Sequence, residues 1–371
     1  MPVKFSNHAI FIVGYIHTGT SLLKTILRRN PDVWAVAGET HFFQDLGAIK
    51  RRFPDLKNDE MRRAYILFLV KLAHLGKKRT ASQQLDYSLA DLGLTDAHFE
   101  EIMVATAGID EHEGLFGLVN DHLASIAGKP FWVEKTPEHV YYLTQLLRHL
   151  PDAKVVELVR DPRATLASRK VRRTGDEWLD SKEEKEDLEV DRLTNYDPVI
   201  DSMMWKEAIN AAHDARHNYP QNILTIRYED LAANPAEVLQ RICRFTGLTY
   251  SEDMLDVGWV NAASQMKEQD GAARPPKAGV STAAVEKWRK SLEGNEIFLA
   301  QALLKSEMRE MGYQPAGTNL SAKLKAPVLL GGAAVNLTRR MGKGRNSPER
   351  AKDAFARVQR RLLKNLGVQR R

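Results

Sequence analysis

The run Gly14-Tyr15-Ile16-His17-Thr18-Gly19-Thr20-Ser21 follows a short apolar segment and leads into Leu22, Leu23, Ile26 and Leu27. Its glycines and trailing hydroxyls match the phosphate-cradling spacing G-x-x-x-x-G-K-[ST], except that Thr20 stands where the lysine belongs. A strand, a glycine turn and a helix start still aim backbone N–H groups and the positive end of a helix dipole at an anion. Gly19, Thr20 and Ser21 are therefore a candidate anion cradle. Without the lysine, hydrolysis of a nucleoside triphosphate is disfavoured. A nucleotide kinase is disfavoured further, because no obvious metal-binding carboxylate follows a strand.

A second constellation begins at Arg160, which closes a strand-like run at 154–159. Asp161 and Pro162 then supply a cap and a first helical position, and Ser168 and Arg172 fall on one helical face. Arg160, Ser168 and Arg172 can converge on one phosphate. Three more stretches stand in order: Glu134-Lys135-Thr136-Pro137, Arg227-Tyr228-Glu229-Asp230-Leu231, and Val280-Ser281-Thr282 with Lys287-Trp288-Arg289 behind it. Ahead of them, Ala37-Gly38-Glu39-Thr40-His41-Phe42-Phe43 puts a carboxylate and an imidazole just after the first helix.

In this order the motifs resemble the sulfotransferases that use 3′-phosphoadenosine 5′-phosphosulfate (PAPS). Residues 16–23 are similar to that family's phosphosulfate loop, P-[RK]-S-G-T-[TS]-L-L, and Arg160, Ser168 and Arg172 to the residues that hold the 3′-phosphate. The resemblance runs over roughly residues 9–313 and is poorest at 40–128. It implies PAPS as donor co-substrate, with Lys135 and His17 stabilising charge on the departing 3′,5′-diphosphate and Ser281 at the same oxygen. Tyr228 approaches the nucleotide and Lys287 belongs to the segment that closes over it.

Two departures from the pattern matter. His17 stands where the family carries Arg or Lys, and imidazole can do that work only when protonated, which a neighbouring phosphosulfate favours. A loop histidine bonded to backbone is the other reading. Lys135-Thr136-Pro137 replaces the K-T-H of small-phenol enzymes, which places the chain nearer the carbohydrate and tyrosyl branches. In those branches the glutamate of G-E-T or E-x-x-F-F is the candidate base, so the resemblance gives Glu39 that role, with His41 as competitor. A cap or salt-bridge role is the alternative for Glu39.

The expected function is transfer of a sulfuryl group from PAPS to a hydroxyl of a carbohydrate, glycolipid or similar acceptor. The alternative, motivated by His17, is a non-catalytic nucleotide-binding or membrane-scaffolding protein on the same fold. In-line geometry and charge stabilisation carry such a transfer, so no metal is expected, and the histidines form no H-E-x-x-H pattern.

Strand-like runs at 9–13, 131–133, 154–159 and 223–227 must hold these groups. Their alternation with helical patterns predicts an α/β, three-layer P-loop-like fold around a mostly parallel sheet. Helical periodicity, as at 61–75, makes 40–128 a helical insertion over the sheet edge that carries the chemistry. Residues 174–197, with ten acidic and three basic side chains, read as a solvated loop or a lid. The expected organisation is a domain at 1–315 and a basic C-terminal extension at 316–371. That extension ends in an amphipathic helix announced by Ser347-Pro348-Glu349, with Ala351, Ala354, Phe355, Val358, Leu362 and Leu366 set among basic residues. Such a tail suits an anionic membrane surface or packing on protein.

Composition closes off other classes. The 54 Lys and Arg exceed the 48 Asp and Glu, but 14 of the basic residues and only 2 of the acidic ones lie at 316–371. The body is therefore acidic, and with no aromatic-basic signature it is not expected to bind nucleic acid. Cys243 is the single cysteine, which excludes an internal disulfide and a cysteine-based zinc site. No apolar run reaches the ~20 residues of a membrane span. The N-terminal residues lack the pattern of a signal peptide, so a cytoplasmic place is expected, peripheral on the inner membrane face if the tail binds lipid.

Overall fold

Among the described residues, runs rich in Val, Ile, Phe and Trp form five strands: His8–Gly14 (β1), Val33–Ala35 (β2), Phe131–Lys135 (β3), Lys154–Val159 (β4) and Ile223–Arg227 (β5). The structure is a computed structural model and describes residues 8–82, 87–172, 196–257, 282 and 285–343, without the side chains of 77–82, 171–172 and 334–343. The strands join in the order β2-β3-β1-β4-β5. β1 runs parallel to both β3 and β4, placing Ile12 beside Lys135 and Gly14 beside Leu158, and β2 runs parallel to β3. From β1 the chain goes first to β2 and β3 on one side and later to β4 and β5 on the other. In open α/β sheets, ligands bind outside the carboxyl ends of the strands at such a reversal.

The helices, in chain order, are Thr20–Leu27 (α1), Phe42–Arg52 (α2), Asp59–Ser82 (α3), Asp96–Ala105 (α4), His112–Ile126 (α5), Leu143–His149 (α6), Pro162–Arg172 (α7) and Pro198–Asn218 (α8). Tyr228–Ala233 (α9), Pro235–Thr246 (α10), Trp288–Ser291 (α11), Gly294–Leu303 (α12), Lys305–Glu310 (α13) and Leu320–Lys343 (α14) follow. The insertion expected at 40–128 is thus α2 to α5.

The chain divides into two compact units, Met1–Leu158 with Ala211–Ser281, and Val159–Asn210 with Thr282–Arg371. In the first unit, alternation along the strands sends side chains to opposite faces of the sheet. Ile10, Ile12, Val133 and Leu158 meet Leu23 and Ile26 of α1 and Leu239 and Ile242 of α10 in one core cluster. On the other face Phe11 meets Trp132 edge-on, and Trp132 meets Phe116 of α5, which stacks on Phe42 of α2 at 4.2 Å between centroids. These rings are almost wholly buried, so truncating Trp132 or Phe116 to alanine would cost about 3–5 kcal/mol. Helices therefore cover both faces of the sheet, as the sequence predicts.

The second unit has a smaller core, with Ala164 and Ala167 of α7 against Trp288, Leu292 and Ala300. Most of the acidic stretch at 174–197 and the expected helix after Ser347 lie outside the described residues. At the edge of that stretch the solvated reading fails. Asp197 is buried, and its Oδ1 accepts from the Val199 and Ile200 N–H groups at 2.9 and 3.0 Å, capping α8.

Candidate active site

The loop after β1 is tight. Buried Thr18 donates from Oγ1 to the Tyr15 carbonyl at 2.7 Å, drawing the turn closed. Gly19, at φ 98, precedes α1 and lies against the ring of Tyr228, the first residue of α9. A Cβ at Gly19 would stand 2.5 Å from Tyr228 Cδ2, so conformation and space both require glycine there. Buried Thr20 and half-buried Ser21 open the helix, the place the sequence gives them in the candidate cradle. His17 takes a left-handed backbone at φ 64, a region that few non-glycine residues occupy and that tends to cluster at functional sites.

The carboxyl end of β3 delivers Lys135, nearly buried, one strand over from the start of this loop. Its ammonium donates to Glu39 Oε1, while His41 Nε2 lies 3.3 Å from Glu39 Oε2. Burial alone would raise the Glu39 pKa. The His41 hydrogen bond, the Lys135 charge and the Lys135 hydrogen bond outweigh it and hold it near 2. The structure thus brings together two of the expected catalytic groups, Glu39 and Lys135, with the competing base His41 beside them, although the two segments lie about a hundred residues apart. In this state Glu39 is ionised, as a base must be, but its proton affinity is suppressed.

Three supports for this triad were not read from the sequence. Lys24 of α1 reaches back to the carbonyls of Val36 and Gly38, the latter at 2.9 Å, tying the cradle helix to the segment that carries Glu39. Burial first, then the Lys135 charge, lower its pKa to about 8 against the pull of Glu134 and Glu39. The second support is Glu134, wholly buried in β3. Its Oε1 accepts from Thr40 Oγ1 at 2.9 Å and from Thr136 Oγ1 at 2.5 Å, and its Oε2 faces His139 Nδ1 at 3.1 Å. Thr136 Oγ1 also accepts from the Thr40 N–H at 3.0 Å, so the residue after Glu39 is bound both to β3 and to the residue that follows that strand. The third support lies in α3, which breaks at Gly76 (φ 68, ψ 168) where the Glu39 segment passes. Ala37 N–H donates to the Ala73 carbonyl at 2.7 Å, and a Cβ on Gly76 would come within 3.1 Å of Gly38 Cα. Lys24 and Gly76 carry no motif signal; Glu134 sits inside one, but its role appears only once Thr40 is seen beside it.

Glu39, His41 and Glu138 each bring a ligand atom within 4.8 Å of the others, a set able to hold a cation although the sequence implied none. Lys135 already occupies one oxygen of Glu39, which works against that use.

In the second unit, Asp161 caps α7 by accepting from the Arg163 N–H at 2.8 Å, as expected. Arg160 is buried, and its carbonyl accepts from Trp205 Nε1 at 3.0 Å. Ser168 is half-buried on α7, and the backbone of Arg172 ends that helix one turn on. The Arg172 side chain and the whole of Ser281 lie outside the described residues. Arg163, given no role by the sequence, forks onto Asp161 at 2.6 to 3.2 Å and lies 4.1 Å over the Trp288 ring. It thereby joins the Arg160 segment to the late Lys287-Trp288 segment, where Lys287 is exposed and Trp288 buried.

A phosphate-type loop at a strand reversal, with a lysine and a glutamate at the neighbouring strand end, defines an anion-handling α/β enzyme site. The family model described as "Sulfotransferase family" matches residues 9–252, and the chain belongs to that family. Human carbohydrate sulfotransferase 3 is 30% identical over 172 residues, covering 44% of this chain and 34% of the relative. Zebrafish (Danio rerio) protein-tyrosine sulfotransferase 1 is 22% identical over 351 residues, covering 91% of this chain and 80% of the relative. The chain spans only about a third to two-fifths of the first carbohydrate sulfotransferases it matches. Among solved structures, the sulfotransferase domain of the Synechococcus PCC 7002 olefin synthase is similar with a TM-score of 0.45 at 16% identity, covering 89% of this chain and 97% of that one.

Proposed function

We propose that the protein transfers a sulfuryl group from PAPS to a hydroxyl of a carbohydrate, glycolipid or similar acceptor. The observation that carries this reading is the Lys135–Glu39 pair at the carboxyl end of β3, beside the strand that leads into the anion cradle. Backbone N–H groups at Gly19, Thr20 and Ser21 receive the 5′-phosphosulfate, and Arg160, Ser168 and Arg172 are assigned the 3′-phosphate by their spacing. In the transfer, the acceptor oxygen bonds to sulfur as the bond from sulfur to the bridging oxygen breaks, and that oxygen keeps the electron pair. Lys135 and a protonated His17 stabilise the charge left there, and Glu39 takes the acceptor proton. Donor charge competes with Glu39 for the Lys135 ammonium, and losing that partner raises the basicity of Glu39, while the His41 hydrogen bond still holds part of it down. Glu39 is therefore a stronger base with the donor in place than without it.

Nucleotide binding is measured first, by calorimetry with adenosine 3′,5′-diphosphate, and turnover then with sulfur-radiolabelled PAPS and a panel of hydroxylated acceptors. Binding followed by label transfer to a glycan or glycolipid is the expected result. Binding without transfer to any hydroxyl would favour the non-catalytic alternative that His17 raises, and absence of binding overturns both.

A further inference from the structure

We propose that α14 is an interfacial helix whose exposed face lies in the surface of an anionic lipid bilayer. Five large apolar side chains stand exposed among the described residues, and four of them, Leu320 (70%), Leu324 (71%), Val328 (76%) and Leu330 (48%), are on this one helix. The helix is anchored from its other side. Ala322, Ala326 and Ala333 are buried, and a Cβ on Gly294 of α12 would lie 3.0 Å from Ala322 Cβ, so small residues bring α14 close against its own unit. Asn319 Oδ1 accepts from the Ala322 N–H at 2.8 Å, capping the first turn. The exposed face is thus presented on a helix that is already folded and oriented.

Helical geometry separates the two faces. At about 100° per residue, Leu320, Leu324 and Val328 span an arc of about 80° opposite the three buried alanines. Lys323 and Lys325, both exposed, border that arc about 60° beyond its two ends. No Asp or Glu occurs anywhere from Ala316 to Lys343. An apolar stripe edged on both sides by lysines whose stems can reach up to a charged plane is the pattern of a helix lying among headgroups. No described helix is long and apolar enough to cross a membrane, so α14 lies along the surface and does not span it.

Charge disfavours two other occupants. A second copy would bring the same lysines against these, and the remaining residues 344–371 carry nine Lys and Arg against two acidic side chains, so neither complements the stripe. An anionic lipid surface complements both its parts, taking Leu324 and Val328 into the acyl boundary and Lys323 and Lys325 among phosphates.

The test is co-sedimentation of the full chain with vesicles of phosphatidylglycerol and phosphatidylcholine, and with vesicles of phosphatidylcholine alone. The wild type should bind the anionic vesicles, less so as salt rises. Leu324→Glu with Val328→Glu should weaken binding by at least about tenfold, and Lys323→Gln with Lys325→Gln by several-fold on anionic vesicles only. All four positions are exposed, so the melting curve should be unchanged. Three results overturn the proposal. The wild type could fail to bind anionic vesicles at low salt. The double glutamate variant could bind as well as the wild type, which would move the contact to residues 344–371. Light scattering could instead show self-association that the glutamates abolish, making the face a contact between copies.

Discussion

Replacing Glu134 by glutamine removes a charge and almost nothing else. The carboxylate is wholly buried, accepts from two threonine hydroxyls and faces His139 at 3.1 Å. Burial by itself would raise its pKa; the His139 charge and the hydrogen bonds of His139, Thr136 and Thr40 bring it from 4.5 to about 2. At roughly 1.4 kcal/mol per pKa unit, the ionised form contributes on the order of 3 kcal/mol to folding at neutral pH. Because the folded pKa is depressed, this contribution is complete above about pH 4.5 and is lost as pH falls toward about 2. Glu134→Gln should therefore lower the free energy of unfolding by about 2–3 kcal/mol at pH 7, with the gap to wild type closing as the pH approaches 2–3. Urea denaturation of both proteins at a series of pH values reads the gap directly, since every other titrating group is common to the two. A gap that is equally wide at pH 7 and pH 3, or absent at pH 7, would refute the idea that a buried ionised carboxylate holds Thr40 and hence the Glu39 segment.

Arg160→Ala should weaken binding of adenosine 3′,5′-diphosphate by about 10- to 150-fold, the loss of one charge-assisted contact worth 1.5–3 kcal/mol; equal affinity by calorimetry would remove Arg160 from the phosphate site. Glu39→Gln should reduce turnover by ~10²-fold or more with nucleotide affinity little changed, and an active Glu39→Gln beside a dead His41→Ala would reverse the assignment. Lys135→Ala should raise the Glu39 pKa from about 2 in the free protein, read by carboxyl chemical shifts, and an unmoved pKa would mean that His41 alone holds it down. Gly19→Ala meets both a left-handed backbone and the Tyr228 ring, so it should abolish nucleotide binding, and retained affinity would place the cradle elsewhere.

The fold was legible where the chain is periodic. β4 and β5 stand at the residues expected, and β1 and β3 exceed their expected bounds by one or two residues, because their apolar runs end in groups that the alternation could not count, such as Glu134 and Lys135. β2 escaped because three residues, Val33 to Ala35, are too few to show a period of two. At the site, residue types and order pointed to Glu39, Lys135, Gly19 and Tyr228. Their pairing was not legible, since Lys135 meets Glu39, and Tyr228 meets Gly19, only through the sheet order. Lys24 looked like an ordinary helix lysine because the carbonyls it serves belong to a loop twelve and fourteen residues on.

The crossing of Gly38 and Gly76 bears on how this protein could be re-engineered. Where two backbones meet with no side chain between them, neither segment can be exchanged alone, because any incoming residue other than glycine needs room that the partner occupies. The helical insertion is therefore not an interchangeable cassette. A graft of the insertion must splice on both sides of the crossing, importing residues 36–40 and 73–76 as one piece, or match a glycine to a glycine. The insertion and the placement of the Glu39 carboxylate are then inherited together, and a chimera cut between them should fold with Glu39 displaced.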